Sequence, residues 1–301
     1  MNMKRPPLTP MLLACMLVLL PITTRADTLE RVRASNSLTL GYLNDFAPFS
    51  TQDGDKAKGF AIDLCQTVVD KFKAELALPA LQVRYQAVRQ ADEISAVRSG
   101  KIDILCTPTP QSLERRKSVS FSVPIYTAGL SAVVRQDAPP ALLNVLNGQE
   151  AHTGPTWRAT LNRGLSNQTF AAPAGGVTEQ WIRGQMRTLG VITTLVTVEN
   201  SHEGLKQVAD GKVAAFFAER MLLKNQLAAD YPDGNLMVLD RIYEYAPASM
   251  VMERGNEDLR LLVDTALSEA YRSGAMEQAY AKYLGGASDT VKKLFKIYAL
   301  P

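Results

Sequence analysis

The sequence predicts an α/β protein of two lobes joined by two extended crossing segments. Three observations predict it. Strand and helix patterns alternate from Leu38 to Cys106, a second alternation follows Asp137-Ala138-Pro139-Pro140, and two short crossing segments, Val123–Gly129 and Glu244–Ala248, lie at the junctions. Such alternation implies parallel sheets covered by helices. The chain of 301 residues is 46% apolar and 21% charged, an ordinary globular balance that excludes disordered and fibrous classes.

Each element has its own warrant. Leu38–Leu43 reads as a short strand. Gly59–Phe72 reads as a helix, because Phe60, Leu64, Val68 and Phe72 recur every four residues along one face. Leu81–Val88 alternates as a strand, Ala91–Ser99 is a helix ended by Gly100, and Ile102–Cys106 is an apolar strand. Pro108 and Pro110 then break the chain. Ser112 is placed to cap one or two helical turns reaching Lys117. Ser118–Phe121 and Leu130–Arg135 follow as strands. The second region reads as helix Ala141–Leu146, strand Glu150–Thr153, the turn Gly154-Pro155, helix Thr156–Arg163 and a Gly/Ala/Pro loop over Ser166–Gly176. Helices Thr178–Leu189, Ser201–Asp210 and Arg220–Ala229 then alternate with strands Thr193–Val198, Val213–Ala218 and Leu236–Leu239. Strand Ser249–Glu253 and two or three helices between Glu257 and Tyr298 finish the chain.

The first 26 residues read as an export signal. Lys4 and Arg5 precede an apolar run from Met11 to Ile22, and Ala26 supplies the small residue at the cleavage point. Cys15 is set aside as a lipidation site because the apolar run continues past it. The predicted product is periplasmic. Lys4, Arg5 and Arg25 leave with the leader, so 30 basic face 30 acidic side chains in the remainder. A net-neutral chain lacks the basic excess of a nucleic-acid or membrane-surface binder.

Cys65 and Cys106 remain after export, and only His152 and His202 join them, so a structural zinc site lacks its ligands. In an oxidising compartment the two cysteines can pair or remain buried thiols. Cys65 lies early in the first helix and Cys106 ends the strand that this helix should cover, so a bridge is predicted.

Four segments together carry a family resemblance. Gly59-Phe60-Ala61-Ile62-Asp63-Leu64, the loop from Asp103 through Arg115-Arg116 to Phe121-Ser122-Val123-Pro124, the strand Asp210–Arg220, and Gly255–Arg260 with Tyr283-Leu284-Gly285 stand in register. This set resembles the periplasmic solute-binding proteins of the polar amino-acid class, the extracellular solute-binding family 3. The resemblance implies a type II periplasmic-binding-protein fold with two hinge strands. It divides the chain into lobe 1 (27–124 and 249–301), lobe 2 (130–243) and hinge segments 125–129 and 244–248. It implies a monomer that binds an amino acid or similar zwitterion for an ABC transporter membrane permease, with no nucleic acid and no cofactor. An enzyme on the same scaffold, a dehydratase of a cyclic carboxylate, and a sensing module for a separate receptor are the alternatives.

The resemblance also assigns the ligand site to Arg115, Ser112, Glu219, Thr109, Thr156, Leu43 and Phe46. An Arg just beyond a parallel strand can grip a carboxylate with two parallel hydrogen bonds, a geometry Lys cannot match. Glu219 stands where relatives hold the α-amino group with Asp, and it can equally serve as a helix-terminal acid. The turn His152–Thr156 is expected to meet the ligand, and Trp157 to pack on its own lobe. Thr107 replaces a usual Gly and Pro110 a usual Thr, removing one backbone donor. Leu43 and Phe46 form an apolar wall. One cation and one anion with nothing left over predict a neutral zwitterion with an apolar side chain.

Overall fold

The computed structural model describes residues 27–149 and 154–301. The leader, the strand predicted over Glu150–Thr153 and His152 lie outside the described residues.

Helix α1 (Thr28–Ser35) is capped by the Asp27 carboxylate. Strand β1 (Ser37–Leu43) leads into a hairpin, β2 (Thr51–Asp53) and β3 (Lys56–Lys58). Three residues per strand are too few to show an alternation, so the sequence did not announce this hairpin. Helix α2 (Phe60–Glu75) buries Phe60, Leu64, Val68 and Phe72, the predicted face. Gly59 opens it with φ +132°, and a Cβ there would lie 2.5 Å from the Phe49 carbonyl oxygen. Both the dihedral and the close approach require glycine. Strand β4 (Gln82–Val88), a short turn over Gln90–Asp92 and α3 (Glu93–Arg98) follow.

Strand β5 (Ile104–Pro110) runs straight through the two prolines that were expected to break it. The Gln111 N–H donates to the Pro247 carbonyl, so Pro110 faces away from that neighbour, and the pairing with the neighbouring strand is irregular between Ser249 and Val251, opposite Pro108. Pairing with β1 stops at Leu105, so no ladder bond is lost at either proline. Helix α4 (Leu113–Arg116) is capped as predicted, Ser112 Oγ accepting from the Arg115 N–H at 3.1 Å.

After β6 (Val119–Phe121), the first crossing segment and its following strand are one ten-residue strand, β7 (Tyr126–Arg135). Helices α5 (Pro140–Asn147) and α6 (Gly154–Leu165) lead to β8 (Thr169–Pro173), which lies inside the predicted Gly/Ala/Pro loop. Phe170, Ala171 and Ala172 are buried there between two neighbouring strands. Then come α7 (Val177–Leu189), β9 (Thr194–Val198), α8 (Ser201–Ala209), β10 (Ala215–Glu219), α9 (Arg220–Asp230) and β11 (Leu236–Val238). The second crossing is likewise one strand, β12 (Glu244–Glu253). Helices α10 (Glu257–Ser273), α11 (Ala275–Leu284) and α12 (Asp289–Tyr298) close the chain.

Among the described residues the principal sheet has ten strands, with β4-β1-β5-β12-β7-β10-β8-β9 as its main order and β6 on β12 and β11 on β7. The β1, β4 and β5 pairings are parallel, as the alternation predicted. Strands β7 and β12 run antiparallel through the middle, from Glu244↔Leu130 to Ala248↔Tyr126. Apolar packing divides along them. Ile125 and Met250 belong to the core around Phe49, Phe60 and Phe72, whereas Ala132 and Leu239 belong to a second around Phe170 and Phe217. Cys65 of α2 and Cys106 of β5 form the predicted disulfide, Cα–Cα 6.0 Å, within the first lobe.

Candidate functional site

The carboxyl ends of β1, β5, β8 and β10 converge on one cavity of about 50 Å³ between the lobes. Ligands in open α/β sheets bind at such ends. Leu43, Phe46, Thr109, Arg115 and Glu219 line it together. Two other assigned residues do not. Ser112 serves as the α4 cap that holds the Arg115 backbone, and Thr156 is exposed on α6. Trp157 packs on the core of its own lobe, as expected.

The turn that faces Arg115 is Gly176-Val177-Thr178, following β8 and opening α7. Gly175 just before it has φ +71°, and a Cβ there would lie 3.4 Å from the Ala91 Cα of the opposite lobe. A strand, two glycines, a threonine and a helix are visible in the sequence, but reading β8 as loop hid the pattern.

Arg115 is nearly buried. Its Nη2 pairs with Glu93 Oε1 at 2.7 Å, with side-chain exposures of 11% and 6%, and its Nη1 donates to the Pro110 carbonyl at 3.3 Å. The proline that lacks a donor thus supplies the acceptor that aims the guanidinium. Burial pushes the Glu93 carboxyl up, and the Arg115 charge opposes that rise. Glu93 was absent from the sequence reading, since an acid opening a short helix looks like an ordinary solvated residue.

Glu219 ends β10 and caps α9. Its Oε2 accepts from the Leu222 N–H at 2.8 Å and its Oε1 from the Tyr126 hydroxyl at 3.0 Å. It is the helix-terminal acid that one reading expected, and it also lines the cleft. Desolvation pushes its carboxyl up to about 7, against the pull of these hydrogen bonds. The Tyr126 ring packs on Phe49 at 4.9 Å, so this bond ties the second lobe to the first lobe's core. Thr107 and Thr109 share a hydroxyl contact of 3.0 Å beside Arg115.

The chain is similar to known proteins in sequence and in fold. The family model of bacterial extracellular solute-binding proteins, family 3, matches residues 38–286. An L-glutamate/L-aspartate-binding protein of Pseudomonas aeruginosa is 26% identical over 259 residues, 85% of this chain and 79% of that protein. The L-cystine-binding protein of Escherichia coli is 20% identical, covering 85% of this chain and 86% of its own. Among solved structures, an ancestral amino acid-binding protein, a precursor of cyclohexadienyl dehydratase, superposes with TM-score 0.68 at 22% identity, over 86% of this chain and 99% of that one. The cysteine-binding protein of Campylobacter jejuni gives TM-score 0.69 at 16% identity, over 88% and 96%. At such identities the solved structures speak to fold, and the fold is the two-lobed type II form that the sequence predicted.

Proposed function

The chain belongs to the bacterial extracellular solute-binding proteins of family 3, and from that premise we propose that it is the substrate-binding component of an ABC importer, closing two lobes on one amino-acid-like solute. The observation that carries this reading is the sharing of one interlobe cavity by Arg115 and Glu219, one from each lobe. Arg115 takes the α-carboxylate and Glu219 an ammonium group. Thr109 and Thr178 offer hydroxyls, with Thr178 in the role first given to Thr156, and Leu43 and Phe46 form the wall. Ser112 acts through the backbone of Arg115.

A water needs about 10–15 Å³ of such space, so a cavity of about 50 Å³ cannot admit an amino acid unless the lobes part. The division of the cores supports lobe 1 as 27–124 and 249–301, lobe 2 as 130–243, and hinges at 125–129 and 244–248. The crossing is firmly held on the lobe 1 side, where Asp264 accepts the Val123 N–H at 2.7 Å and Tyr271 donates to the Pro124 carbonyl at 2.5 Å. Motion then falls on the antiparallel pair beyond.

The protein acts as an exported monomer, released to the periplasm by cleavage after Ala26, with a membrane permease as partner. Among the described residues no helix is long and apolar enough to cross a membrane. The chain is read as a carrier rather than an enzyme. Glu219 is a candidate proton donor for the dehydratase alternative, and incubation with cyclic carboxylates should return them unchanged; a dehydrated product would favour catalysis.

Dialysis of exported protein against pooled amino acids, then mass spectrometry of what is retained, tests the binding role. One small solute per chain is expected. Retention of none by folded protein overturns it.

A further inference from the structure

The sequence reading left the cleft with one cation and one anion. The structure adds a third charge. Glu93 and Arg115 are ion-paired at 2.7 Å inside the cleft wall, and Glu219 faces them from the other lobe. Among the described residues lining the cavity, the others, such as Gln90, Thr107, Thr109 and Thr178, are neutral. Two carboxylates therefore face one guanidinium.

Charges enclosed in a closed, desolvated site must balance, because an unpaired buried charge is costly. Arg115 has five N–H donors, and one contact to Glu93 and one to Pro110 leave others for a ligand carboxylate. Once Glu93 neutralises Arg115, Glu219, ionised above about pH 7, is the anion without a counter-charge. We propose that Glu93 is a specificity-determining residue, and that the cleft takes amino acids of net positive charge while refusing dicarboxylic ones. The ligand carboxylate lies on Arg115, one ammonium on Glu219, and the second cation against Glu93. An acidic amino acid would place another carboxylate beside two already present, and like charges so juxtaposed discriminate strongly. This inference rests on the binding reading above and adds the ligand class to it.

The test is calorimetric titration at about pH 8, where Glu219 is ionised, of the exported protein and its Glu93→Gln and Glu93→Asp variants with arginine, lysine, glutamine, leucine, glutamate and aspartate. Wild type should bind a basic amino acid roughly tenfold or more tighter than a neutral one, and acidic ones weakest. Glu93→Gln should compress or reverse that ranking by about tenfold or more, and Glu93→Asp should keep it. A purely structural role would weaken all classes alike and leave the ranking unmoved, which overturns the proposal. So does tightest wild-type binding of glutamate, aspartate or a neutral amino acid, a result that needs no variant to fold. Binding of none of the six by folded wild type overturns this inference, while the pooled dialysis above decides the binding role separately.

Discussion

Glu219 shows how one side chain can serve a helix, a cleft and an interlobe contact together. Burial pushes its carboxyl from 4.5 to about 7, while Leu222 and Tyr126 hold the oxygens. A pKa raised by folding means that stability is fully present below the unfolded value and is lost as pH rises through the folded one. Between about pH 4.5 and 7 the unfolded chain has released this proton and the folded chain retains it, so wild type weakens as pH rises. The shift corresponds to a loss on the order of 3 kcal/mol. Glu219→Gln preserves the shape and removes the titration. In urea unfolding, its stability relative to wild type should therefore grow from pH 4 to pH 8 by about that amount. Parallel stability curves for the two proteins would contradict the account. Glu93 illustrates the opposite side of reading residues from sequence. Nothing in Asp92-Glu93-Ile94 distinguishes a solvated helix start from the partner of a binding arginine, because the pairing spans 22 positions and depends on where β5 delivers Arg115.

At the scale of elements, periodicity was informative where one face is buried. The four-residue recurrence of α2 placed its buried face residue by residue. Period and propensity failed where small residues and prolines sit in strands. Residues Thr169–Pro173 read as loop because Ala and Pro carry little strand signal, yet β9 and β10 flank them on both sides. That omission moved the cleft turn from Gly176–Thr178 to residues around Thr156. The prolines of β5 misled for a related reason, since the side on which a strand needs its N–H groups is decided by its neighbours. Two changes test the element packing. Gly59→Ala puts a Cβ against the Phe49 backbone at a dihedral that L side chains rarely adopt, and should cost about 2 kcal/mol or more. An unchanged melting temperature would refute that. Replacing Cys65 and Cys106 together by Ala removes a bridge across a separation of 41 residues. The loop-closure argument gives a loss of about 3–4 kcal/mol. Unfolding midpoints that match wild type would show that the bridge contributes nothing.

At the scale of the molecule, the apolar clusters of the two lobes divide along β7 and β12, and the parallel strands of both lobes point their carboxyl ends at one another. The two-lobed plan was legible because both alternations and both crossings are local patterns. The charge balance of the cleft was not, because it sums Glu93, Arg115 and Glu219, which lie far apart in the chain and meet only in the fold. The central claim is that Arg115 is the anion clamp of a solute-binding cleft. Arg116 is its natural control: it stands on the same helical turn but is exposed, reaching Gln111 and the Phe121 ring outside the cavity. Titration calorimetry of wild type, Arg115→Ala and Arg116→Ala with the amino acid that wild type binds tightest is the most direct measurement. Wild type and Arg116→Ala should each bind one solute per chain with similar affinity, and Arg115→Ala should bind at least roughly a hundredfold more weakly, the effect of losing the partner of a buried carboxylate. Equal losses in both variants, or undiminished binding by Arg115→Ala, would contradict the account.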